Sequence, residues 1–200
     1  MSLPNICTLS RVPLMFLIVA LLYAEWTGSA SVTFVLFVIA GVTDFLDGYL
    51  ARKWNQVSNF GILMDAVTDK VLLLGIMIAL VDLGRIPFLE EPIPVFLVLL
   101  IMGREFLITG IRLVAASKGV VVSADKGGKQ KTLTQILAVG SLMLGLVVMR
   151  DVDPFVALDL TLLVGVFNYA GLGLFIAATV FTLSSGIRYF RRYSYLVFAK

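Results

Sequence analysis

Val42-Thr43-Asp44-Phe45-Leu46-Asp47-Gly48-Tyr49-Leu50-Ala51-Arg52, followed after eight residues by Gly61-Ile62-Leu63-Met64-Asp65-Ala66-Val67-Thr68-Asp69-Lys70, sets four carboxylates into otherwise apolar sequence. The residues before Asp44 and after Lys70 run apolar without alternation, which reads as helix rather than strand. A charge at the centre of a membrane helix costs about 2.5–3.5 kcal/mol on insertion scales, so four acids need a reason to be there. Asp44 and Asp47 stand at i, i+3 and Asp65 and Asp69 at i, i+4, so each pair shares one helix face. Two such pairs facing each other across a short connection make an oxygen-rich cage suited to a divalent metal.

The same reading extends outward to the whole chain. Of 200 residues, 60% are hydrophobic and 14% charged, far from the balance of a water-soluble domain. Six apolar runs, about 8–24, 31–51, 61–81, 93–116, 132–149 and 158–187, are each long enough to span a bilayer. The expected fold is therefore all-α: a polytopic membrane protein of six transmembrane helices, with residues 1–200 forming a single domain. The first run is too long for a cleaved secretory signal and lacks a small-residue cleavage site. Cys7 is the sole cysteine, so no internal disulfide is expected, and the absence of histidine removes imidazole chemistry.

The cations are distributed unevenly. Arg11, Arg52, Lys53, Lys118, Lys126, Lys129, Lys131, Arg188, Arg191, Arg192 and Lys200 fall on one side of the six runs, and only Arg85 and Arg150 on the other. That bias predicts a cytoplasmic N-terminus and C-terminus in a multi-pass protein of the cell (inner, cytoplasmic) membrane. All four acids then lie at similar depth on the cytoplasmic side, where a soluble substrate meets a lipid.

Written as Asp44-x-x-Asp47-Gly48-x-x-Ala51-Arg52, eight residues, then Gly61-x-x-x-Asp65-x-x-x-Asp69, the stretch resembles the signature of the CDP-alcohol phosphotransferase (phosphatidyltransferase) family. The resemblance implies a membrane enzyme in which Asp44, Asp47, Asp65 and Asp69 hold two Mg²⁺ or Mn²⁺ ions and Asp69 takes the proton of an acceptor hydroxyl. Oxygen donors suit these ions and not Zn²⁺. Asp44, Gly48, Ala51, Arg52 and Gly61 are the expected nucleotide and pyrophosphate residues. The small side chains let a nucleotide approach helix backbone, and Arg52 can pair with a phosphate oxygen. The other reading of the acids, an ion or proton relay in a small transporter, gives no reason for Gly48, Ala51, Arg52 and Gly61.

Outside the signature, Asn5-x-x-Thr8-x-x-Arg11, Arg104-Glu105-Phe106 with Gly110-x-Arg112, and Gly128-Lys129-x-Lys131-Thr132-x-x-Gln135 resemble the branch of the family that joins CDP-diacylglycerol to glycerol 3-phosphate and releases CMP. Ala66 departs from that branch, where proline commonly follows the third Asp. A doubly charged acceptor needs cations beyond the metals, and Arg104, Arg112, Lys129 and Lys131 are the candidates. Arg104 and Arg112, eight residues apart, fall within about 80° on a helix, whereas Glu105 points about 100° away from Arg104 and is not its expected partner. Inositol phosphate remains an alternative acceptor. Asn5, Thr8, Arg11 and Thr132 are further candidates, with Asn5 or Thr8 as a helix cap and Arg11 as an interface anchor the simpler reading.

Membrane lipids are the expected surroundings. The basic, aromatic tail from Arg188 to Tyr195 fits an anionic lipid interface rather than nucleic acid. Gly165, Gly171 and Gly173 suit close helix packing within the chain or across the homodimer that the family resemblance implies.

Overall fold

The computed structural model describes residues 3–53, 59–120, 126–156 and 159–195; the side chains of residues 3–8, 44–53, 59–66, 69 and 126–129 fall outside the description. The described residues are all-helical: α1 Leu3–Tyr23, α2 Ser29–Lys53, α3 Asn59–Asp82, α4 Ile93–Ser117, α5 Lys126–Val147 and α6 Thr161–Tyr193. A π turn, Val148–Val152, and a 3-10 turn, Asp153–Phe155, join α5 to α6. Ile93–Ser117, Gln130–Phe155 and Thr161–Tyr193 are long and apolar enough to cross a membrane; among the described residues Leu9–Tyr23 and Ser29–Thr43 are shorter apolar helices.

Each apolar run of the sequence coincides with one helix, but three boundaries move by five residues or more, the first being the start of α1 at Leu3 rather than about 8. α6 continues to Tyr193, beyond the expected end at 187. α5 begins at Lys126 rather than 132, so residues 126–131, expected as connector, are helical despite Gly127 and Gly128. Each glycine costs a helix about 1 kcal/mol relative to alanine. Lys131, bonded to Glu105 of α4, fixes this start against a neighbouring helix.

Helix ends are set by local chemistry. α3 and α4 both close in Schellman motifs, with Arg85 N–H donating to Leu80 O and Gly84 N–H to Val81 O, then Val120 N–H to Ala115 O and Gly119 N–H to Ala116 O. Gly84 and Gly119 take φ of 61° and 73° there, a region glycine enters without penalty. The start of α2 is capped from far away: Asp151 accepts from the Gly28 and Ser31 amides at 2.9 and 2.6 Å and from the Ser31 hydroxyl at 2.6 Å. Arg150 donates to Leu22 O and Ala24 O at the end of α1, at 3.1 and 3.3 Å.

Packing follows from these ends. α5 and α6 form the most extensive helix pair, and α1 packs on both α2 and α3. Ser141 Oγ donates to Phe167 O, and Gln135 meets Thr182, so α5 and α6 run antiparallel. Arg104 meets Ser185 while Ile108, Ile111 and Ala115 cluster with Tyr189, so α4 and α6 run parallel. Ile18, Leu22, Ile76, Met77, Leu80, Ile101, Met143 and Phe175 fill the interior. A Cβ on Gly171 would lie 2.7 Å from Leu142, so this glycine packs α6 on α5, as expected of it; Gly165 and Gly173 face open space.

Candidate active site

The signature occupies the end of α2 and the start of α3, helices consecutive in the chain. Asp44 and Asp47 lie within the last three turns of α2, and Asp65 and Asp69 within the first three of α3. Both stretches are continuous helix, so the i, i+3 and i, i+4 spacings place each pair on one face. The donor set is all oxygen, with no thiol or imidazole in it, and that chemistry fits a hard divalent cation. The side chains of the four acids, like those of Asn5, Thr8, Ala51, Arg52 and Lys129, and the surroundings of Gly48 and Gly61, lie outside the described residues. Among the described residues no three acidic or cysteine side chains gather in a metal-binding group.

The described part of the site centres on Glu105, which the helical angle argued against as a partner of Arg104. Glu105, at mid-length of α4, is only 6% exposed. Its Oε1 accepts from Arg104 Nη1 at 3.2 Å and from Lys131 Nζ of α5. Arg104 Nη2 donates to Ser185 Oγ of α6 at 3.0 Å, and Ser185 in turn donates to Thr182 O. Gln135 Nε2 donates to Thr182 Oγ1 at 3.2 Å. One buried carboxylate thus joins three helices. Gly186 makes room for the arginine, since a Cβ there would stand 2.7 Å from Arg104 Cγ.

One expected contact is corrected. Arg104 does pair with Glu105: a 100° offset on a thin helix is spanned by two long side chains reaching round the cylinder. Lys131, 6% exposed, is ion-paired rather than open. Arg112 is exposed, whereas the Arg104 side chain is nine-tenths buried. Both still lie within electrostatic reach of the buried Tyr189 hydroxyl. Lys131 is also within reach of Lys70, the neighbour of Asp69, so the cation cluster borders the helix that carries the signature.

Arg11 is 2% exposed, buried in the bundle rather than anchored at an interface. Asn5 and Thr8 fall inside α1, which already begins at Leu3, so the structure does not make either its cap. Thr132 is exposed. Besides Glu105, the sequence reading missed Ser185, Gly186 and Tyr189. The cost of intramembrane charge, applied to Glu105 as it was to the four Asp, points to it.

A sequence profile described as CDP-alcohol phosphatidyltransferase matches residues 1–183. A Bacillus subtilis protein named CDP-diacylglycerol–glycerol-3-phosphate 3-phosphatidyltransferase is 38% identical over 203 aligned residues, which cover 96% of this chain and 94% of the relative. Proteins of the same name from Rickettsia typhi and Haemophilus influenzae are 37% and 35% identical over 144 residues, covering 72% and 71% of this chain and 77% and 75% of theirs.

Proposed function

The chain belongs to the CDP-alcohol phosphatidyltransferase family, and from that premise we propose that it transfers the phosphatidyl group of CDP-diacylglycerol to glycerol 3-phosphate, giving phosphatidylglycerophosphate and CMP. The relatives' shared name supports both donor and acceptor. The observation that carries the acceptor assignment is the meeting of Arg104 and Lys131 in the bundle interior, because a phosphate-bearing alcohol needs fixed cations and serine or choline does not.

In this reading Asp44, Asp47, Asp65 and Asp69 hold two Mg²⁺ or Mn²⁺ ions. When bound, the ions offset the charge of the pyrophosphate and of the departing phosphate. Gly48, Ala51 and Gly61 give the nucleotide access to helix backbone, and Arg52 pairs with a phosphate oxygen. Arg104, Arg112, Lys129 and Lys131 hold the phosphate of glycerol 3-phosphate. Asp69 takes the proton from its primary hydroxyl. The hydroxyl oxygen bonds to the phosphorus that carries diacylglycerol, the bond from that phosphorus to the CMP oxygen breaks, and CMP leaves.

Six helices cross the cytoplasmic membrane, residues 1–200 act as one unit, both termini and the active site face the cytoplasm, and the chain works as a homodimer. The one-sided distribution of Lys and Arg supports the orientation.

CMP release by the purified, detergent-solubilised protein tests the reaction, with CDP-diacylglycerol, Mg²⁺ and one alcohol supplied at a time. Release that requires glycerol 3-phosphate and stops on chelation with EDTA is expected. Release with inositol phosphate instead would replace the acceptor, and no release with any alcohol, in detergent or in lipid vesicles, would overturn the reaction.

A further inference from the structure

We propose that Glu105 is a positioning residue for the acceptor's phosphate, holding Arg104 and Lys131 on one carboxylate so that both cations present their remaining donors to it. This rests on the reading that those two cations bind that phosphate.

Glu105 sits twelve residues from either end of α4, so it caps no helix, and it is 6% exposed. A buried ion pair is a poor means of stabilising a fold, since taking the charges out of water offsets most of their attraction. Among the described residues two cations share one carboxylate, an excess of one positive charge that an anionic ligand would balance.

Donor capacity is also left over. Lysine carries three N–H donors and arginine five. Glu105 and Ser185 account for one donor on each of Arg104 Nη1 and Nη2, while the buried Arg104 Nε has no hydrogen-bond partner among the described residues. Lys131 stands on a flexible four-carbon stem, and its bond to Glu105 fixes where the ammonium stands before the ligand arrives. On the opposite side Ser185 and the close approach of Gly186 fix the guanidinium. The pair is thus set from two helices.

The test is steady-state CMP release by wild type, Lys131→Met, Glu105→Gln and Glu105→Asp, with each substrate varied at saturating levels of the other and thermal stability measured alongside. In Glu105→Gln the KM for glycerol 3-phosphate is expected to rise about tenfold or more, the scale of one charge-assisted hydrogen bond. The KM for CDP-diacylglycerol and kcat should stay within about twofold, because a positioning group for one substrate leaves the other's binding alone. Glu105→Asp, which keeps the charge, should recover part of the loss. An unchanged KM for glycerol 3-phosphate in Glu105→Gln overturns the assignment, as does an equal loss for both substrates accompanied by a fall in Tm. If the Gln chain does not fold, the Asp chain decides by the same split. A wild type without glycerol 3-phosphate-dependent release defeats the proposed function and this inference with it. An active wild type whose KM survives Lys131→Met defeats the clamp, and one altered by Lys131→Met but not by Glu105→Gln defeats Glu105 alone.

Discussion

Charged side chains do different work at two levels of this bundle. Where α1 ends and α2 begins, Arg150 and Asp151 terminate on backbone groups: carbonyls of Leu22 and Ala24, and amides of Gly28 and Ser31. Tyr23 adds a 2.6 Å bond to Asp82 across the ends of α1 and α3. These charges answer a need that every helix end has, since its last carbonyls and first amides lack partners within the helix. At mid-length of α4 no backbone group is left over, yet Arg104, Glu105 and Lys131 are buried together. Among the described residues their side chains bond one another and Ser185, and no backbone group. A charge whose partner is a helix end is explained by folding; a charge whose partner is another buried charge asks for a ligand.

Substitutions at the two levels should have separable effects. The largest effect is expected at Asp69→Asn, where loss of the proposed general base should lower turnover by about 10²–10⁴-fold with Tm nearly unchanged. CMP release and a thermal melt on the same preparation check it, and near-normal turnover would remove Asp69 from its role. Next comes Arg112→Ala. It is exposed, so the fold should not notice its removal. The KM for glycerol 3-phosphate should rise about tenfold to a hundredfold, the range of a hydrogen bond to a charged group.

At the capping end the signs reverse. Asp151→Ala should lower stability by about 0.5–2 kcal/mol, the usual loss on removing a helix cap, and leave both KM values alone. A change in KM there would dissolve the distinction between the two levels. The smallest effect is expected at Gly186→Ala. Its new methyl displaces Arg104 by a few tenths of an ångström or more, raising the KM for glycerol 3-phosphate about threefold, well below the loss of a whole hydrogen bond.

Much of this was legible in the residues. Apolar runs locate all the long helices because a continuous run of some twenty such residues has few other homes. The four Asp stand out because charge in such runs is costly, and their spacing requires only that the helices be continuous, which α2 and α3 are. What the residues hide is contact between helices distant in sequence. Nothing near Arg104 announces Ser185 or Gly186, and nothing near Gly28 announces Asp151. The Arg104–Glu105 contact is hidden for a different reason: the two side chains leave the helix about 100° apart, yet both are long enough to bend toward each other. The early start of α5 was hidden as well, since Gly127 and Gly128 argue locally for a loop and only the contact of Lys131 with α4 outweighs them.

The π turn at Val148–Val152 has a consequence for how this chain can vary in length. Its closing bond, from the Asp153 amide to Val148 O, spans one residue more than an α turn. That extra residue widens the coil so that the neighbours Arg150 and Asp151 reach different helices, one the end of α1 and the other the start of α2. The wide turn holds one residue more than an α turn needs, so deleting a single residue between 147 and 153 would let the segment close as an α turn with the residues after it still in register. A deletion that takes Arg150 or Asp151 opens the clasp which that residue makes. In this stretch which residue is lost matters more than how many there are.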